Sequence, residues 1–328
     1  MAASQSDRVP IDAQSVDAPL SRFAIFLVVA VDDPGQALER VREVITSLDD
    51  LVKTVGFRDL NGHLSCVLGI GRRAWDRLSP ANRPTELHEL PPIRGAVHVA
   101  PSTPGDLLFH IRAERADLCF EFERLLLDRL GDAVVVIDEV SGFRYFDSRD
   151  LLGFVDGTAN PLEAGMPEAT LIGDENPTFA GGSYVVVQKY LHDLAKWGTL
   201  LTEDQEAVIG RTKIDNVELA DSIEPQKAHK TLTTIVEDGV EHEILRDNMP
   251  FGRPGIGEFG TYFIGYTRSP WIIERMLKRM FVGDPPGFHD RILDVSTAVT
   301  GTMFFVPSNV VLRGLADEGA DAAASAPS

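Results

Sequence analysis

Two observations predict that this 328-residue chain folds as α+β, in two tandem ferredoxin-like modules. The first half reads strand, helix, strand, strand, helix, strand, and the same order returns in the second half, which favours duplication over chance. Phe23 to Val31 is an unbroken apolar strand. Pro34 to Val55 follows with apolar positions at helical spacing, behind Asp32 and Asp33 as capping candidates. Leu64 to Ile70 reads as the second strand, Leu107 to Ile111 as a third running into a helix that ends near Leu130, and Ala133 to Ile137 as the fourth. The second half opens with a strand at Ser183 to Tyr190, with helical patterns near Leu191 to Trp197 and Glu203 to Ile209. Thr261 to Tyr266 leads into a helix from Pro270 to Leu277, as Leu107 to Ile111 leads into its own helix, and Gly301 to Val306 closes the second sheet. The expected domains are 23–150 and 151–312, flanked by a disordered 1–22 and a disordered acidic, Ala-rich 313–328.

Composition narrows the function. The 31 basic and 50 acidic residues give a formal charge of −19, which repels nucleic acid and anionic membrane surfaces, and no basic patch offsets it. No apolar stretch has the length of a signal peptide or a membrane span, so a cytoplasmic protein is expected. Cys66 and Cys119 sit among apolar neighbours without CxxC spacing, as small thiols rather than a zinc or redox motif. None of the eight histidines stands in His-Glu-x-x-His or comparable zinc spacing.

The chemistry concentrates in four segments. Leu152 to Pro161 frames Asp156 between Gly153 and Gly157, whose conformational freedom can aim a carboxylate into a pocket, although Asp-Gly is by itself an ordinary turn. Downstream lie Pro225 to His229, Ile244 to Gly252 and Pro285 to Arg291. With the tract from Asp290 through Thr300 to Pro307, the ordered set Asp156, His229 and Arg246 resembles the dye-decolourising peroxidase family, most closely its bacterial type B branch, over roughly Phe23 to Pro307.

The resemblance implies two ferredoxin-like sheets packed face to face in a dimeric α+β barrel-like arrangement, with one haem b per chain held mainly by the C-terminal half. It implies hydrogen peroxide as oxidant, a ferryl intermediate, and dyes, phenolic compounds and other small aromatic molecules as one-electron reductants. A homo-oligomer is expected. His229 matches the proximal ligand to the haem iron. A carboxylate on its other ring nitrogen would make the imidazole a stronger donor, and Asp290 is the first candidate, with Asp294 the alternative and a solvated helix acid the rival to both. On the peroxide side, Asp156 suits proton transfer and Arg246 suits both charge stabilisation and haem contact. Asn248 lies on the same side as Arg246 if that stretch is extended, placed to orient a water. Arg211 resembles a position near a haem propionate, with an exposed arginine as the alternative. Relatives proposed to oxidise manganese carry an acid where this chain has Ala159, so manganese is not implied.

Two other classes compete with a peroxidase. A haem carrier or dechelatase would need the axial histidine but not Asp156 and Arg246. A nanocompartment cargo protein would carry a docking peptide with leucine and glycine, where this chain reads Ala322 to Ser328, so encapsulation is unsupported.

Overall fold

The computed structural model describes residues 12–32, 36–162 and 165–315. In the N-terminal half, Phe23–Val31 lies between Leu107–Ala113 and Val134–Phe143, and Ser65–Ile70 pairs with the outer edge of Leu107–Ala113, all antiparallel. In the C-terminal half, Ser183–His192 lies between Glu258–Thr267 and Thr302–Val306, with Leu245–Arg246 and Met249–Arg253 on the outer edge of Glu258–Thr267. Both halves therefore have the spatial order second, third, first, fourth, the ferredoxin-like arrangement expected. A single Ile70–Phe305 pair joins them into one open ten-stranded sheet.

The apolar run Phe23–Val31 follows from burial on both faces. Ile25, Leu27, Val29 and Val31 pack against the helices Gln36–Gly56 and Ala116–Leu130. Ala24, Phe26 and Val28 point the other way, into a core shared with Val185, Val187, Tyr262, Ile264 and Phe304 of the second half, so the two halves of the sheet face each other. A third core sits beneath the helix Trp271–Val282. No helix among the described residues is long and apolar enough to cross a membrane.

Several boundaries depart from expectation. Residues 12–22 are not a disordered lead: Val16 is buried, and Gln14 Nε2 donates to the carbonyls of Leu68 and Pro307, at 2.9 Å each, tying both halves together. Leu191 and His192 finish a strand, and the helix Leu194–Trp197 starts after Asp193, whose carboxylate accepts the Lys196 N–H at 2.9 Å. The fourth strand runs on to Phe143. Helix 309–315 seats Leu312 and Leu315 in the N-terminal core, so residues 313–315 are ordered. Residues 1–11, the capping candidate Asp33, Pro34 and the tail 316–328 lie outside the described residues.

Candidate active site

One cavity of about 210 Å³ in the C-terminal half gathers Asp156, Arg211, His229, Arg246 and Asn248. Its wall is otherwise largely apolar, with Phe154, Ile209, Phe263, Met276 and Leu277 among its lining. A smaller cavity, of about 40 Å³, reaches Asp156, Arg246 and Asn248 from the side of Ser21, Arg144 and Tyr145.

Asp156 sits on a loop that needs both of its glycines. Gly153 and Gly157 adopt φ of 94° and 74°, and a Cβ at Gly153 would lie 2.6 Å from Lys213 Cε. The Asp156 N–H donates to Ser148 O at 2.9 Å, and the Gly157 N–H donates to Asp156 Oδ1 at 2.7 Å. Asn248 Nδ2 donates to both carboxylate oxygens, at 3.0 Å to Oδ2 and 3.3 Å to Oδ1, while its own Oδ1 accepts the Ile264 N–H at 3.1 Å. Asn248 thus grips the aspartate directly. Among the described residues no ion pair joins Arg246 to Asp156, so these two groups share the cavity without touching.

Arg246 and Asn248 do lie on one side of an extended segment, and Asp247 between them turns the opposite way. There it is 2% exposed and accepts from Arg112 Nη1 at 3.0 Å, a partner on the N-terminal strand Leu107–Ala113. Beside it, His110 Nδ1 lies 2.8 Å from the Tyr266 hydroxyl, and burial lowers the His110 pKa well below its ordinary value. This buried polar set anchors the segment to the other half of the molecule. Sequence reasoning missed it, because Arg112 and Asp247 stand 135 positions apart. It also missed Asn160, whose side chain donates to Arg246 O at 2.7 Å and accepts the Arg246 N–H at 2.9 Å.

His229 opens the short helix His229–Thr233. Its Nδ1 lies 2.6 Å from Oδ2 of Asp290, which is fully buried, so Asp290 rather than Asp294 partners it. The two aspartates do not share a helix face: Asp290 caps a 3₁₀ turn, Arg291–Asp294, through the Ile292 N–H, and Asp294 meets two other histidines. Burial lowers the His229 pKa, but the charge and hydrogen bond of Asp290 outweigh it and the net direction is upward. The charges of Arg246 and Asp156 also reach His229. Arg246 is drawn below its ordinary value by burial, against the charges of Asp156 and Glu243.

Arg211 is not an exposed arginine. It is about four-fifths buried, with Nε on Asn216 Oδ1 at 2.8 Å, Nη2 on Asn216 O at 3.0 Å and Nη1 on Glu218 at 3.2 Å. Asp150, unmarked in the sequence, also lines the cavity; burial pushes its carboxyl up to about 7, against the hydrogen bond from the Phe154 N–H.

The donor set fits a haem. Three histidines line the cavity: His192 has both ring nitrogens satisfied, by Ser296 at 2.8 Å and Thr261 at 2.9 Å, and His242 packs edge to face on Trp271 with no carboxylate partner among the described residues. His229 has one nitrogen fixed by a buried carboxylate and the other without a partner among the described residues, the arrangement an axial haem ligand requires. Arg246 Nε is buried without a partner among the described residues, a donor in wait of a ligand.

Comparison with known proteins agrees. A family model described as Dyp-type peroxidase, N-terminal, matches residues 13–144, and one described as Dyp-type peroxidase, C-terminal, matches residues 147–311. The chain is 54% identical over 299 residues to the dye-decolorizing peroxidase of Mycobacterium tuberculosis (strain ATCC 25618 / H37Rv), covering 91% of this chain and 89% of that one. Among solved structures it is similar to a variant of DypB from Rhodococcus jostii RHA1 in complex with heme, at 58% identity and a TM-score of 0.90, covering 92% of this chain and 98% of that one. It is similar as well to the encapsulated DyP-type peroxidase of Mycobacterium smegmatis, at 52% identity and a TM-score of 0.89, covering 92% and 97%.

Proposed function

The chain belongs to the Dyp-type peroxidase family and is a haem-dependent peroxidase of type B-like sequence, and from that premise we propose how its own residues divide the work. When bound, haem would supply the two-electron reduction of hydrogen peroxide and the one-electron oxidation of organic reductants. His229 would hold the iron through Nε2, since Asp290 takes Nδ1–H, fixes the tautomer and strengthens the imidazole as a donor.

Asp156 receives the proton of hydrogen peroxide at Oδ2. Oδ1 already accepts two N–H groups, from Gly157 and Asn248, whereas Oδ2 accepts one and keeps a lone pair for the substrate. Asn248 and Gly157 set the direction of that lone pair. Arg246, with its unpartnered Nε, stabilises the charge that grows on the departing oxygen. The smaller cavity beside Asp156 suits the entry of peroxide. Arg211 has one N–H uncommitted on each of Nη1 and Nη2, which suits a haem carboxylate. Dyes and phenolic compounds are the proposed reductants. The proposal keeps the enzyme cytoplasmic and homo-oligomeric, and light scattering on the purified protein tests the assembly.

The observation that carries this assignment is the convergence of the His229–Asp290 pair and the Asp156–Asn248 pair on one cavity. Its test is the absorption spectrum of the purified protein with and without haemin, followed by peroxide-driven dye oxidation. A haem band that depends on His229 together with turnover that depends on Arg246 is expected. Haem uptake with no peroxide-dependent oxidation would favour a carrier and overturn it.

A further inference from the structure

Away from the haem cavity, His98, His289 and Asp294 bring three ligand atoms within 4.8 Å of one another. Both imidazoles converge on the same oxygen: His289 Nε2 lies 2.9 Å and His98 Nε2 3.2 Å from Asp294 Oδ1. The two rings meet edge to face, with centroids 4.7 Å apart. Each Nε2 donates to the Asp294 carboxylate, and neither Nδ1 has a partner among the described residues, so either ring can carry its proton on Nδ1 when an ion takes the place of the Nε2 proton.

The fold takes trouble to assemble this group. His98 belongs to the hairpin of Ile93–Arg94 and Val99–Ala100, in the N-terminal half, while the other two residues come from the segment after the helix Trp271–Val282. The hairpin presses so closely on that helix that a Cβ at Gly95 would lie 1.8 Å from the Phe281 carbonyl oxygen, and the Gly95 N–H bonds His98 O at 2.9 Å. Lys196 Nζ donates to Asp294 O at 2.7 Å, and Arg291 Nε stands 3.5 Å from Asp294 Oδ2, on the side away from the imidazoles. Side-chain exposures of 23%, 20% and 31% leave an entry path for an ion.

We propose that His98, His289 and Asp294 form a binding site for a late first-row divalent cation, with zinc(II) as the natural fit. Metal bonds of about 2.0–2.2 Å place neighbouring ligand atoms about 3.0–3.4 Å apart, close to the two nitrogen–oxygen distances present. The two imidazole nitrogens are borderline ligands that suit zinc, copper(II) or nickel(II) over magnesium or calcium, and zinc accepts a carboxylate oxygen beside them. The bound ion would staple the N-terminal hairpin to the C-terminal half, one residue from the carboxylate that holds His229.

The test is zinc uptake by untagged, haem-loaded enzyme, so that His229 is already engaged, measured by competition with a chromophoric chelator. One equivalent is expected, together with a rise in Tm on adding zinc chloride. His98→Ala should weaken uptake by at least about tenfold and abolish the Tm rise. Absent uptake, or uptake undiminished in a folded His98→Ala, overturns the site. Should that variant fail to fold, the wild-type enzyme loaded with copper(II) decides: electron paramagnetic resonance should show coupling to two imidazole nitrogens, and a copper signal without nitrogen coupling overturns it.

Discussion

The two halves share a strand order and differ in how the chain crosses from the first strand to the second. In the N-terminal half one continuous helix, Gln36–Gly56, makes the crossing and seals the sheet with Val41, Val44, Ile45, Leu48, Leu51 and Val55. In the C-terminal half the crossing from Ser183–His192 to Leu245–Arg246 is broken into Leu194–Trp197, Thr202–Ile209 and His229–Thr233. The unbroken helix fills the space above its sheet. The broken one leaves a cavity there and puts Arg211 and His229 on its wall. A duplicated fold thus acquires a site by failing to complete one helix, while the other copy supplies rigidity.

Substitutions on the two sides should separate those duties. The largest effect expected is from His229→Ala, which removes the one cavity histidine with a carboxylate partner and a free ring nitrogen. Haem content by absorbance should collapse, or the band should change to that of a haem without a strong axial donor; an unchanged spectrum refutes the assignment. Phe122→Ala, in the fully buried core of the N-terminal half, should cost about 3–5 kcal/mol in denaturant unfolding. At a temperature where the variant stays folded its peroxidase rate should match wild type, and a rate loss there would mean the halves are not divided as described.

Arg246→Leu should invert that pattern, with stability and haem content near wild type and peroxide turnover slower by about 10²–10³-fold in stopped-flow traces. If Asp156→Ala were the slow variant instead, the roles of the two residues would have to be exchanged. The smallest effect concerns Asp150, whose carboxyl is raised by burial to about 7. An acid raised on folding holds its proton longer in the folded state, so stability declines as pH climbs from the ordinary carboxylate range through about 7. Asp150→Asn should remove that decline, narrowing the drop in Tm between about pH 5 and about pH 8 by a few °C. An equal drop in both proteins would show that Asp150 does not titrate there.

Much of the fold was legible because burial on both faces writes strands as continuous apolar runs, as in Phe23–Val31, and helices as stripes, as in Gln36–Gly56. What escaped was short or distant. The hairpin of Ile93–Arg94 and Val99–Ala100 is too brief to show a period. Gln14 looks like part of a polar lead, yet it bridges Leu68 and Pro307, contacts that no local window contains. In the site, Asp156, His229 and Arg246 were marked by their segments, but spacing could not choose Asp290 over Asp294, because a cap residue departs from helical geometry. Arg112 and Asn160 carry no signal of their own: each matters through a partner far along the chain.

Asn160 has one more consequence. Its amide presents a donor and an acceptor to both backbone groups of Arg246, as a neighbouring strand would, so a single side chain impersonates the next rung of a ladder. The aspartate loop and the arginine strand are therefore coupled as one plate. A displacement of Arg246 outward would draw the loop with it, so the spacing between Asp156 and Arg246 would change less than their distance from the rest of the cavity.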